Sequence, residues 1–134
     1  MADRLSDVIY CAGFFDGEGS VGVYSRRYVC TVSNTDIRPL KKFVELWGGK
    51  FSVQHKSKIK LANMDVYHWN IYGQNCKDFL NEIYPHTIVK KDQIKLFLEV
   101  LDVLPIGRGK RRSPGVNEFI DLHAERIRRL KRMG

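Results

Sequence analysis

The segment Ala12-Gly13-Phe14-Phe15-Asp16-Gly17-Glu18-Gly19 places small residues at helical spacing next to acidic ones. Gly13 and Gly17 are four apart with Ala12 beside them, and small residues so spaced let two helix backbones approach closely. Glu18 is expected just past the end of this helix, where Gly19 permits a sharp turn into a strand. A helix pairing with a copy of itself here would bring two Glu18 carboxylates to a two-fold axis. Two carboxylates that close repel each other unless a cation lies between them. Mg2+ is a hard cation that takes oxygen ligands, and Mn2+ or Ca2+ could occupy the same site. The pairing surface predicted on this basis is Tyr10, Ala12, Gly13, Asp16 and Gly17. Taken alone, the same residues also describe an ordinary helix end with glycine caps and a solvated Glu.

Other chemistries find less support. Cys11, Cys30 and Cys76 are odd in number and widely spaced, which speaks against a disulfide framework or a zinc site. His55, His68, His86 and His123 also lack metal-ligand spacing. No Ser-His or Cys-His arrangement can be placed. A reducing, intracellular compartment is expected from the cysteine usage. The start MADRLSDV carries no apolar signal-peptide core, and no apolar run is long enough to span a membrane.

The net charge of +8, from 23 Lys+Arg against 15 Asp+Glu, favours polyanionic partners, nucleic acid foremost. A merely soluble basic protein is the plainer alternative. Residues 108–134 hold nine Lys+Arg and three Asp+Glu and so supply +6 of that charge. Lys110, Arg111 and Arg112 are candidates for backbone phosphates, against the plain alternative of a solvated charge run.

The elements that must position these residues follow from periodicity. A first helix is predicted from about Asp7 to Phe15, capped by Ser6. Two strands are predicted within Ser20–Asn34, turning at Ser25-Arg26-Arg27. A second helix, Ile37–Trp47, carries Ile37, Leu40, Val44 and Trp47 on one face and stops at Gly48-Gly49. Two more strands span Lys50–Lys56 and Val66–Tyr72, joined by a lysine-bearing loop. Helices follow over Asn75–Ile83 and Val89–Leu104, the latter with Ile94, Phe97, Leu98 and Leu101 inward. A basic linker then leads through Ser113-Pro114 into a final helix, Gly115–Arg132.

This order gives one α+β domain over residues 1–134, its core at about 6–104, with helices on one face of a four-stranded antiparallel sheet. Strand alternation predicts Val21, Val23, Cys30, Val32, Phe51, Val53, Trp69 and Ile71 buried beneath the helices. The opposite face would present Tyr24, Arg27, Thr31, Lys50, Ser52, Gln54, Lys56, His68 and Asn70, with Arg26 at the turn. Such a face is a candidate for reading a DNA groove, because a β-ribbon fits the major groove. A solvated face, common in antiparallel sheets, is the alternative.

The stretch CAGFFDGEGS resembles the LAGLIDADG signature, matching at Ala12, Gly13, Asp16 and Gly19, with common variants at Phe14, Phe15, Gly17 and Glu18. Val32-Ser33-Asn34-Thr35-Asp36 and Pro85 to Gln93 are similar to later segments of the LAGLIDADG homing endonucleases, in the same order over residues 10–104. The resemblance implies an αββαββα core with additional C-terminal helices and a DNA-reading sheet. It implies Glu18 as the metal-binding carboxylate and Gly17 as a carbonyl ligand. Asn34 would orient water, and Arg38 and Lys90 would lie near the scissile phosphate, with Lys91 the rival to Lys90 if the alignment shifts by one. Glu18 and Asn34 stand where many members have Asp and Gln.

The motif does not recur, so one chain would carry half a site and act as a homodimer. The implied activity is metal-dependent cleavage of double-stranded DNA at a long pseudo-palindromic site, with no organic cofactor and no membrane partner. A cleavage-deficient relative acting in RNA splicing is the alternative, and a plain protein-interaction domain would leave the basic strand faces unexplained.

Overall fold

The computed structural model describes residues 3–24, 26–54, 65–103 and 114–133. Helix α1 (Arg4–Glu18) is longer than its apolar period suggested. Its N-cap is Asp3, whose carboxylate accepts the Leu5 N–H at 3.2 Å and the Ser6 hydroxyl at 3.2 Å. Ser6, expected as the cap, therefore serves the cap from inside the first turn. At the other end Glu18 is the last helical residue and not the first beyond it. Gly19 follows because a Cβ there would run into the Phe15 ring.

Strands β1 (Gly19–Tyr24) and β2 (Arg27–Asn34) form a hairpin. Helix α2 (Ile37–Trp47) then carries the chain across to β3 (Lys50–Gln54), the far edge strand. Strand β4 (Val66–Tyr72) returns between them, giving the antiparallel order β1-β2-β4-β3. Helices α3 (Gly73–Ile83), α4 (Lys91–Val103) and α5 (Pro114–Met133) complete the chain, with a 3-10 turn at Tyr84–His86. Both α3 and α4 differ from expectation at their starts: α3 opens at Gly73, whose φ is 62°, and α4 opens at Lys91.

Register sets which side chains meet the helices. Val21 pairs with Cys30 and Val23 with Tyr28, while Cys30 faces Ile71 and Val32 faces Trp69 on the other side. All but Val23, which is partly buried, lie in the core against α1, α3 and α4. Phe51 and Val53 share this side of the sheet but each is 40% exposed, contrary to expectation. They sit on an edge strand that packs on β4 and lies beyond the helix layer. Phe51 settles instead against Tyr67, with ring centroids 5.8 Å apart.

The buried face of α2 also differs from the expected stripe. Leu40 and Phe43 are the residues it buries, and Val44 is exposed. Phe43 is three residues from Leu40 and four from Trp47, so the face is set by this aromatic. Its ring centroid lies 4.8 Å from Trp69, 6.0 Å from Phe79, 6.0 Å from Trp47 and 6.1 Å from Phe14. The ring thus joins α1, α2, α3 and β4. Phe43→Ala removes that junction and should lower stability by about 3–5 kcal/mol, read from the urea unfolding midpoint at unchanged m-value.

Candidate metal and nucleic-acid site

The end of α1 meets the start of α4 through Asp16. One carboxylate oxygen accepts the Ile88 N–H and the Val89 N–H at 3.0 Å each, and the other accepts the Lys90 N–H at 2.9 Å. In return the Lys90 ammonium donates to the Asp16 carbonyl at 2.7 Å. Burial pushes the Asp16 carboxyl up, but the three backbone donors and the Lys90 charge outweigh it and hold it below its ordinary value. Burial lowers Lys90 below the usual lysine range, against the pull of Asp16 and Glu18. Asp16, expected at a helix-pairing surface, is thus an internal clamp. Lys91 turns elsewhere, its ammonium 5.0 Å from the centre of the Tyr84 ring.

Glu18 is exposed and makes no hydrogen bond or ion pair with another described residue. It is the last residue of α1, directly before the first ladder pair, Gly19–Val32. The neighbouring Gly17 belongs to the last helical turn, where carbonyls lack an intrahelical partner and carry partial negative charge. Among the described residues no three acidic, His or Cys side chains gather into a metal cluster. One chain therefore presents one uncommitted carboxylate and a helix C-terminus here, which fits half of an oxygen-rich divalent site.

Asn34 and Arg38 flank the corner. Asn34 Oδ1 accepts the Asp36 N–H at 2.8 Å in the turn before α2, and its amide NH2 has no partner among the described residues. Arg38 is exposed and folds onto Asp36, the N-cap of α2, with contacts of 2.6–3.1 Å. The Arg38 guanidinium holds the Asp36 carboxyl down at about 2.

The polar face of the sheet is ordered in rows. Thr31 donates to Asn70 at 2.8 Å, and Asn70 is level with Lys50 on β3. Ser33 Oγ lies 2.6 Å from His68 Nδ1, and His68 Nε2 lies 3.4 Å from Gln54 Oε1. With the proton on Nε2, His68 accepts from Ser33 and donates to Gln54. Ser52 is level with His68, while Arg27 stacks over Tyr72 at 4.8 Å beside an exposed Tyr24. Ser33 and Tyr72 were not singled out from sequence, although alternation from Thr31 and from Asn70 reaches both. Arg26 leaves this group: its guanidinium pairs with Asp121 on α5 at 3.1 Å. Lys56, Lys110, Arg111 and Arg112 lie outside the described residues.

The outer face of α1 carries exposed Leu5, Ile9, Tyr10, Gly13 and Gly17. A Cβ at either glycine would meet nothing within 4 Å. Ala12, expected there, is fully buried in the core with Val8, Cys11 and Phe15. It points about 100° around the helix from Gly13, into the core.

No protein-family model matches the sequence, and no curated protein matches it. Solved structures do. The homing endonuclease I-CvuI in complex with its target, in the presence of calcium, superposes with a TM-score of 0.73 at 21% identity over 94% of this chain and 82% of that one. The same enzyme on the I-CreI target with magnesium, its DNA not cleaved, gives 0.71 at 22% over 93% and 82%. The archaeal intron-encoded homing endonuclease I-Vdi141I, complexed with DNA, gives 0.71 at 21% over 96% and 86%.

The chain has the homing-endonuclease fold. The α+β class and four-stranded antiparallel sheet expected from sequence are those of this fold.

Within this homing-endonuclease fold, Asp16 supports the corner and its loss should show in stability. Asp16→Asn leaves part of the 88–90 backbone unpaired and should cost about 1–3 kcal/mol at neutral pH. The folded carboxyl titrates below its unfolded value of 3.8, so its stabilisation is present above 3.8 and fades as pH falls through the lower folded value. The gap between wild type and variant, measured by urea titration, should narrow in that acid window.

Proposed function

We propose that the chain is a site-specific, metal-dependent DNA endonuclease acting as a homodimer on a long pseudo-palindromic duplex. The observation that carries this reading is the corner itself: Glu18 is exposed and uncommitted where α1 passes into β1, and the Lys90 ammonium is held on the Asp16 carbonyl two residues before it. The solved structures of the same fold are complexes with DNA.

Half of a divalent site in one chain calls for a second copy, and α1 has the surface for one. Two glycines inside a helix cost about 1 kcal/mol each relative to Ala, and no described residue comes within 4 Å of where their Cβ atoms would lie. A partner helix approaching at that spot makes use of it. Ile88 and Val89, 84% and 71% exposed, are held near the glycine end of α1 by their N–H bonds to Asp16. The two Glu18 side chains, with the Gly17 carbonyls, then face each other across the axis.

When bound there, a divalent cation supplies Lewis-acid charge and makes water a better nucleophile. The chain's own groups do the rest. Lys90 offsets charge gathering on the scissile phosphate. Arg38 exchanges Asp36 for a phosphate oxygen, and the free Asn34 amide orients water. Tyr24, Arg27, Thr31, Lys50, Ser52, Gln54, His68 and Asn70 face the groove, with Ser33 and Tyr72 among them. Three buried thiols without a disulfide, Cys30 and Cys76 with their sulfurs 3.2 Å apart, suit a reducing, intracellular compartment. Burial pushes the Cys11 thiol up to about 12, which keeps it inert there.

Glu18→Gln removes both metal-binding charges of a dimer at nearly constant shape. With a duplex selected from a random library in Mg2+, its cleavage should fall to background while binding persists, because affinity comes mainly from basic groups. Cleavage at the wild-type rate would refute the active site. A wild type that binds but never cuts would leave a DNA- or RNA-binding module.

Gly13→Leu fills the open space on α1. Sedimentation should find it monomeric at concentrations where wild type is dimeric. Its intrachain stability should hold, since among the described residues nothing lies within 4 Å of a Cβ there.

A further inference from the structure

Two hydroxyls on the polar side of the sheet, Thr31 and Ser33, belong to β2, an inner strand. Each is bonded to its direct partner on β4, the other inner strand. Asn70 turns its carbonyl Oδ1 to Thr31, which donates to it at 2.8 Å. Ser33 Oγ lies 2.6 Å from His68 Nδ1, and His68 Nε2 lies 3.4 Å from Gln54 Oε1. A carbonyl oxygen only accepts, so Gln54 sets the imidazole proton on Nε2. Nδ1 is then a lone pair, and the Ser33 proton points at it.

A hydroxyl carries one donor and two acceptor lone pairs. Both donors are spent within the sheet, so Thr31 and Ser33 keep only acceptor capacity for anything above them. The two residues are partly buried and remain reachable. Free Ser and Thr side chains bond bases of either kind, because the hydroxyl proton turns to suit. Here it cannot turn without abandoning Asn70 or His68.

In the major groove cytosine and adenine present an amino donor, whereas guanine and thymine present keto acceptors. A keto oxygen over Thr31 or Ser33 would set acceptor against acceptor. Turning the proton outward to meet it leaves a partner on β4 unsatisfied. We infer that Thr31 and Ser33 are specificity-determining residues locked as acceptors, which select amino bases over keto bases at the groove positions they face. Asn70 and His68 are the positioning residues that impose this. The inference rests on the DNA-cleaving reading above and names the base chemistry that reading leaves open.

Wild type, Thr31→Val, Ser33→Ala, Asn70→Val and Asn70→Asp each select duplexes from a random library without Mg2+, so that binding alone is read. Thr31→Val and Ser33→Ala should each relax one position per half-site, by roughly tenfold in base preference, which assigns that position to its residue. In the wild-type site both positions should hold cytosine or adenine. Asn70→Val leaves the Thr31 proton free, so the Thr31 position should then also admit guanine or thymine. Asn70→Asp still accepts that proton and should keep the amino base there. Guanine or thymine at either position in wild type overturns the inference. So does an Asn70→Asp pattern at the Thr31 position that matches Asn70→Val, or a Thr31→Val or Ser33→Ala variant with unchanged preferences. These results leave the DNA reading intact. A wild type that selects no duplex overturns the DNA reading, and this inference with it.

Discussion

The Asp16 carboxylate takes three consecutive backbone N–H groups, those of Ile88, Val89 and Lys90, across 72–74 residues of sequence. These donors precede α4 and would otherwise be left unpaired at a helix start. In the other direction, the Lys90 ammonium meets a carbonyl in the last turn of α1. An anion thus stands at the N-terminus of α4 and a cation at the C-terminus of α1, so both macrodipoles are matched by one reciprocal contact. The position of Lys90 relative to Glu18 depends on it, because no other hydrogen bond between described residues ties that lysine to α1.

Helix α1 divides its surface between two tasks. Val8, Cys11, Ala12 and Phe15 build the core, and Asp16 holds the start of α4 from the flank. What remains outward is Leu5, Ile9, Tyr10 and two glycines. Core packing thereby fixes the rotation of the helix, and so fixes which way Glu18 leaves its last turn. The sheet is divided in the same manner. Its underside is locked by Phe43, Trp69 and Phe79, so the upper rows inherit a rigid register.

Much of this was legible in the sequence. Period-two alternation sorted Thr31, His68 and Asn70 from Cys30, Trp69 and Ile71, because one strand face is buried and a slip would invert it. It misjudged Phe51 and Val53, since alternation gives a side of the sheet but not how far the helix layer reaches. It placed Ala12 with Gly13, although adjacent helical residues point about 100° apart. Arg26 looked like a groove contact until Asp121, 95 residues away, proved to be its partner. The clamp at Asp16 was hidden for the same reason: its partners are backbone groups, which carry no residue signature.

The hydrogen-bonded rows on the sheet's upper face bear on how readily this protein could change its preferences. Thr31 is tied to Asn70, and Ser33 to His68 and through it to Gln54. These groups cannot be substituted as independent letters. Replacing His68 frees two neighbours on two other strands, and their new orientations alter what they offer to anything lying above them. Energies in such a group do not add. Variation on this face would therefore proceed by clusters of linked residues, and single exchanges would blur selectivity before they redirect it.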